Sequence, residues 1–212
     1  MTYLCYNLSE LPADDSAVST LNDEERAIYA RRGESFLKTR STLKRALAMR
    51  LGCDAQMLRL ATGEHGKPYL PGCQLHFNIS HSGDLLCIAF HHAPIGIDVQ
   101  QIRPAQATPR LARRIMCPQQ LAAWQQRGAD TQEFFDCWCT TEALVKQAGA
   151  TIWQAKQFPY LWHTGHIRLL ADTPIRVNLF APAPGYRAAV AFSTSSLQAP
   201  AEHANMIHQM QS

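Results

Sequence analysis

The chain has 212 residues, 46% of them hydrophobic and 17% charged, and a formal net charge of +3 at neutral pH. That length fits one large domain or two of about 100 residues each, and the apolar content excludes a disordered chain. The small net charge does not mark a nucleic-acid binder. The first residues, MTYLCYNLSE, lack the basic-then-apolar pattern of a signal peptide, and no run approaches the roughly 20 apolar residues of a membrane span. Seven cysteines stand at scattered spacings with no C-x-x-C, which argues against a zinc site and for a reducing, cytoplasmic setting.

In chain order, TYLCYNL at 2–8 reads as a first strand and Pro12 to Asp15 as a loop. Asn22 before DEER is an N-cap with acidic residues in the first turn, opening a helix through about Arg32. SFLKTRSTLKRALAMRL spaces Phe36, Leu37, Leu43, Ala46, Leu47 and Met49 as a helix does, and Gly52 ends it. This early segment is basic, with Arg26, Arg31, Arg32, Lys38, Arg40, Lys44, Arg45 and Arg50. It is either a solvated face or a platform for a phosphate-bearing ligand.

MLRLAT is a short strand, and GEHGKPYLPG is all turn chemistry. LHFNIS alternates as a strand, SHSGD turns, and LLCIAF and IGIDVQQI are strands separated by a turn at His91 to Pro94. PRLARRIM, PQQLAAWQQRG and FFDCWCTTEALVKQAG are helical, the last stopped by Gly149. Strands return from about Tyr160 with HIRLLAD, IRVNLFA and YRAAVAFS, and a polar tail follows from Ser195. LLCIAF after HFNISHSGD and RAAVAF after VNLFAPAPGY hint at a duplication. Helices followed by strands, twice, point to an α+β fold with halves at 1–95 and 96–195 and a tail at 196–212.

Asp98 interrupts an apolar strand, where a carboxylate must be capped by donors, paired, or bound to a metal. On the last helix Trp138, Glu142, Val145, Lys146 and Gly149 share a side. Glu142 and Lys146 are either an exposed ion pair or, brought beside Asp98, an oxygen-rich site suited to Mg²⁺ with an ammonium for a bound phosphate. His81 in NISHSGD and Lys67 in GEHGKP are turn residues that can also hold an anion.

GKP at 66–68, FNISHSGD at 77–84, GIDV at 96–99 and W-x-x-x-E-A-x-x-K from Trp138 to Lys146 follow one another in this order. Together they resemble the Sfp-type 4′-phosphopantetheinyl transferases, over about residues 20 to 190. The resemblance implies two similar α+β halves with the active site in the cleft between them. It implies transfer of the phosphopantetheine arm of coenzyme A to a serine of acyl, peptidyl or aryl carrier proteins, with Mg²⁺ and release of 3′,5′-ADP. By the same resemblance Asp98 and Glu142 hold the metal, with Gln100 beside them. Glu142 serves as base for the carrier serine, and Lys146 binds the diphosphate. Ser80 and His81 face the coenzyme phosphates, Lys67 lies near the adenosine end, and Arg40, assisted by Ser41, takes the 3′-phosphate. The family type carries both halves in one chain, which implies a monomer.

Two positions depart from the pattern. Gln100 stands where many members have a third acid, and Thr141 where the family commonly has Lys, implying a weaker metal site and one cation fewer near the diphosphate. The competing reading is a degenerate module that binds coenzyme A or a carrier protein without turnover. Arg110, Arg113 and Arg114, after Asp98, are either a solvated face or a surface that steers an acidic carrier helix.

Overall fold

The computed structural model describes residues 1–163, 166–170 and 174–194. The chain runs through β1 (Thr2–Asn7) and three helices, α1 (Asp15–Ser19), α2 (Asp23–Arg32) and α3 (Glu34–Leu51). A ribbon of β2 (Ala61–Thr62) and β3 (Pro68–Tyr69) follows, then β4 (His76–Ser82) and β5 (Leu85–His91). The second run follows the same plan. It has β6 (Ile95–Gln101), helices α4 (Pro109–Ile115), α5 (Pro118–Gln126) and α6 (Thr131–Ala148), and a ribbon of β7 (Tyr160–His163) and β8 (His166–Leu169). It closes with β9 (Ile175–Phe180) and β10 (Tyr186–Ser193). The two three-stranded antiparallel sheets, β1-β5-β4 and β6-β10-β9, have the same strand order. The architecture is α+β.

Side-chain alternation along the central strands builds the layers. On β5, Leu86, Ile88 and Phe90 pack with Leu43 and Leu47 of α3, while Leu85, Cys87 and Ala89 pack with Ile97, Val99 and Val190 of the second sheet. On β10, Ala188 and Val190 face the first sheet, while Ala189 and Ala191 join the core under α6. The order is therefore α3, first sheet, second sheet, α6. Central strands covered on both faces explain why LLCIAF and RAAVAF read as unbroken apolar runs.

Beyond the sheets' own ladders, β4 meets β6 through side chains. Asn78 Oδ1, Ser80 Oγ and Ser82 Oγ accept from the N–H groups of Ile97 (2.8 Å), Val99 (3.3 Å) and Gln101 (3.0 Å). The edge of β6 that does not face β10 is thus satisfied by alternate residues of β4.

The helix ends follow local chemistry. Asn22 and Glu25 form a reciprocal capping box at α2, and Gly149 takes the left-handed conformation (φ 66°) that closes α6. Several expectations shift. The loop expected through Asp15 gives way to α1, because Asp14 caps Ala17 N–H. MLRLAT contributes only Ala61–Thr62 as strand, paired to Pro68–Tyr69 inside the turn-rich segment. The expected SHSGD turn shrinks to Gly83 and Asp84, because pairing with β5 continues through Ser82. The 3₁₀ segment Ile152–Gln157 was not anticipated. The end of HIRLLAD and the polar tail lie outside the described residues.

Candidate active site

Asp98 lies on β6 and is 1% exposed. Its Oδ1 accepts from Lys146 Nζ at 2.6 Å and from Ser80 Oγ at 2.8 Å, and its Oδ2 accepts from Gln100 Nε2 at 2.9 Å. The Lys146 ammonium also reaches Ser80 Oγ (3.2 Å) and the Ile97 carbonyl (3.3 Å). The fold thus joins Ser80, Asp98, Gln100 and Lys146 from β4, β6 and α6 into one network.

Glu142 sits one turn before Lys146 and is half-buried. Burial pushes its carboxyl pKa up, the Asp98 charge adds to that rise, and Lys146 opposes it. Among the described residues it has no ion-pair partner.

α6 can lie this close to β6 because position 96 is glycine. A Cβ there would stand 2.1 Å from the Ala143 carbonyl oxygen and 2.4 Å from the Gln147 nitrogen. On the far side, Arg187 of β10 pairs with the buried Asp136 of α6. Lys67 closes the near end: its Nζ donates to the carbonyls of Ile95 (2.8 Å) and Lys146 (2.6 Å). Burial and the Lys146 charge pull the Lys67 pKa down to about 8. Its ammonium therefore ties the GKP loop to the start of β6 and the last turn of α6.

A cleft of about 720 Å³ opens against this network, lined among others by Lys67, Tyr69, His76, Ser80, His81 and Lys146. His81 is exposed on its wall. Arg40 and Ser41 are not among the lining residues. Arg40 donates to Glu25 Oε1 (3.4 Å), whose other oxygen accepts from the fully buried Lys44 (3.0 Å). Ser41 is 0% exposed and its hydroxyl donates to the Lys38 carbonyl (3.3 Å).

Thr141 points into the core. It is 1% exposed, with its hydroxyl against the Ile115 carbonyl (3.3 Å) and the Tyr160 hydroxyl (2.9 Å), in the core between α4, α6 and β7. Arg110, Arg113 and Arg114 are exposed along α4, and the Arg114 guanidinium stacks 4.2 Å over the Trp153 ring, which is itself exposed.

The residues fit a hard dication. Asp98 and Glu142 offer carboxylate oxygens and Gln100 an amide oxygen, and the Asp98 charge, second to burial in raising the Glu142 pKa, is a repulsion that a cation would relieve. Among the described residues no cluster of three or more His, Cys, Asp or Glu is placed to hold a metal. Two carboxylates suit Mg²⁺, which leaves much of its shell to water and phosphate oxygens.

Three positions were not singled out from sequence: Asn78, Ser82 and Gly96. Their signals were present, as polar residues at alternate positions of N-x-S-x-S and as a glycine inside a buried strand.

The family model of the 4′-phosphopantetheinyl transferase superfamily matches residues 94–191. The chain is 36% identical over 110 residues to a 4′-phosphopantetheinyl transferase of Bacillus subtilis, covering 50% of this chain and 48% of that one. It is 31% identical over 145 residues to 4′-phosphopantetheinyl transferase Sfp of Bacillus subtilis strain 168, covering 65% and 64%. To 4′-phosphopantetheinyl transferase AcpT of Escherichia coli K12 it is 30% identical over 144 residues, covering 66% and 70%. The match thus spans less than two thirds of the first two relatives' own length. With the Asp98, Glu142 and Lys146 constellation inside the family match, the chain belongs to the 4′-phosphopantetheinyl transferase superfamily.

Proposed function

We propose that this protein transfers the 4′-phosphopantetheine arm of coenzyme A to a serine of apo acyl, peptidyl or aryl carrier proteins, releasing 3′,5′-ADP. It acts as a monomer in the cytoplasm. The observation that carries the reading is the meeting of Asp98, Gln100, Lys146 and Ser80 at a cleft walled by Lys67 and His81, with Glu142 one turn away.

Each residue has a task in that reaction. Glu142, its pKa raised by burial and by Asp98, is the base that takes the proton of the carrier serine hydroxyl. Lys146, now paired with Asp98, moves to a diphosphate oxygen and positions it. Ser80 and His81 face the coenzyme phosphates, and Lys67 shapes the wall at the adenosine end. Arg40 takes the 3′-phosphate by leaving Glu25, and Ser41, next to it on α3, assists by turning from the Lys38 carbonyl. Asp98, Glu142 and Gln100 would hold Mg²⁺, which would supply neutralisation of charge on the leaving 3′,5′-ADP. The exposed arginines of α4 suit the approach of an acidic carrier helix. Gln100 and Thr141 are what a non-catalytic module would rest on, but both carboxylates and the ammonium are present, which supports turnover.

The test is intact-protein mass spectrometry of a panel of apo carrier proteins incubated with this protein, coenzyme A and Mg²⁺. A gain of one phosphopantetheine on some carriers is expected. No gain on any carrier, from protein that still binds coenzyme A by calorimetry, would overturn the reading.

A further inference from the structure

Two cysteines that the transfer chemistry does not use stand opposite each other in the first sheet. Cys5 of β1 is the register partner of Cys87 of β5. The parity of the ladder follows from one bond beyond its end: Leu8 N–H donates to the Asp84 carbonyl at 2.7 Å. Leu8 and Asp84 continue the register that ends at Asn7 and Leu85. Bonded and non-bonded pairs alternate in an antiparallel ladder, so Tyr6 with Leu86 is a bonded pair and Cys5 with Cys87 a non-bonded one. Non-bonded pairs bring Cα atoms to about 4.5 Å with their side chains close, within the Cα range of roughly 4.4–6.8 Å that a disulfide spans. The sulfurs are already in contact, at 2.8 Å.

We propose that Cys5 and Cys87 form a thiol–disulfide exchange site that takes a low-molecular-weight disulfide and closes to an intramolecular Cys5–Cys87 disulfide. Cys5 is the entry point, half-buried, while Cys87 is fully buried. The thiol–thiol contact with Cys87 lowers the Cys5 pKa, while the same contact and burial raise that of Cys87. The Cys5 thiolate attacks one sulfur of R–S–S–R, forming a mixed disulfide and releasing RS⁻. Cys87 then gives up its proton and attacks the Cys5 sulfur, releasing the second RS⁻. The two thiol protons end on two RSH, the protein loses two electrons, and the small disulfide gains them. In the adjacent strand Cys87 is paired with Ser80, whose hydroxyl donates to Asp98. The closed disulfide would therefore lie one strand from Asp98, with Cys87 directly opposite Ser80 of the candidate active site.

The experiment treats the reduced full chain with excess oxidised glutathione and maps every cysteine by peptide mass spectrometry. Exposed Cys53 serves as the internal control for reagent access. A Cys5–Cys87 cross-link with loss of two hydrogens, reversed by dithiothreitol, is expected, while Cys53 carries only glutathione. In Cys87→Ser, Cys5 keeps its glutathione; in Cys5→Ser, Cys87 stays unmodified. Cys5 and Cys87 both free while Cys53 is fully capped, or a lasting glutathione on Cys5 in the unaltered protein, would overturn the proposal. Neither outcome depends on transferase activity, so this inference and the proposed function fail separately.

Discussion

Without a metal, the Asp98 carboxylate is covered by Lys146 and Ser80 on one oxygen and by the Gln100 amide on the other. A glutamine can donate to Asp98 in this state and turn its carbonyl to a cation in the other; a glutamate can only do the second. Gln100→Glu is therefore expected to lower the melting temperature in chelator and to raise Mg²⁺ affinity by about tenfold, ~1.4 kcal/mol. The shift of melting temperature with Mg²⁺ reads both, and equal affinities in the two proteins would count against this account. Glu142 gives a pH signature. Its folded pKa is raised, so below the unfolded value of roughly 4.3 both states hold the proton and nothing is lost. Above it the unfolded chain releases the proton first, and folded stability falls. Glu142→Gln in chelator should then match the unaltered protein below about pH 4 and exceed it in stability at neutral pH. Thr141→Lys is not a repair. An ammonium forced against Tyr160 and the Ile115 carbonyl is expected to cost on the order of 3–5 kcal/mol, read from the denaturant midpoint. The residue types of Asp98, Glu142 and Lys146 were legible in sequence because their spacing is. The fate of Thr141 was not, since which arc of α6 is buried depends on what packs against it.

At the scale of elements, the site depends on how tightly α6 lies on β6. Gly96→Ala places a methyl against backbone atoms of Ala143 and Gln147, which cannot rotate away as a side chain would. The expected loss is at or above the upper end of the ~1–3 kcal/mol typical of overpacking, because a whole helix must shift. Lys146 moves with that helix, so Mg²⁺-dependent stabilisation should fall together with the denaturant midpoint. A variant with unchanged midpoint would show that the contact is not close. The long elements were readable from sequence because each carries its own signals: the Asn22 and Glu25 box, the heptad-like spacing of α3, and Gly149. The two-residue strands β2 and β3 and the 3₁₀ segment were not. Their backbone bonds are local, Ala61 to Tyr69 and Thr62 to Pro68 across one turn, but a two-residue strand or a single 3₁₀ stretch is too short to show a period. The β4–β6 contact falls between these cases. N-x-S-x-S displays its period, but the partner edge that needs those oxygens is revealed only when β6 pairs with β10 on its other side.

On the scale of the whole molecule, one apolar layer lies between the sheets, and neither sheet can cover it alone. Ile97, Val99, Ala188 and Val190 meet Leu85, Cys87 and Ala89 there, and Tyr3 stacks on Phe180 at 4.3 Å between centroids. The weak similarity of LLCIAF and RAAVAF pointed toward this arrangement, and the matching strand orders β1-β5-β4 and β6-β10-β9 give it a physical form. What composition could not supply was the meeting of the two runs. Ser80 comes from one and Asp98 from the other, and Lys67 reaches carbonyls at both Ile95 and Lys146. We propose residues 1–95 and 96–195 as the two halves that fold against each other through this layer. Cut at that boundary, the piece from residue 96 exposes Ile97, Val99, Ala188 and Val190 and loses Ser80 and Lys67 from its site. Expressed alone it should bind a hydrophobic dye and show no Mg²⁺-dependent stabilisation; mixed with 1–95 it should recover both a cooperative melt and the metal response. A piece that melts cooperatively and responds to Mg²⁺ without its complement would place the whole site in residues 96–212 and leave β4 and the GKP loop as coenzyme walls only.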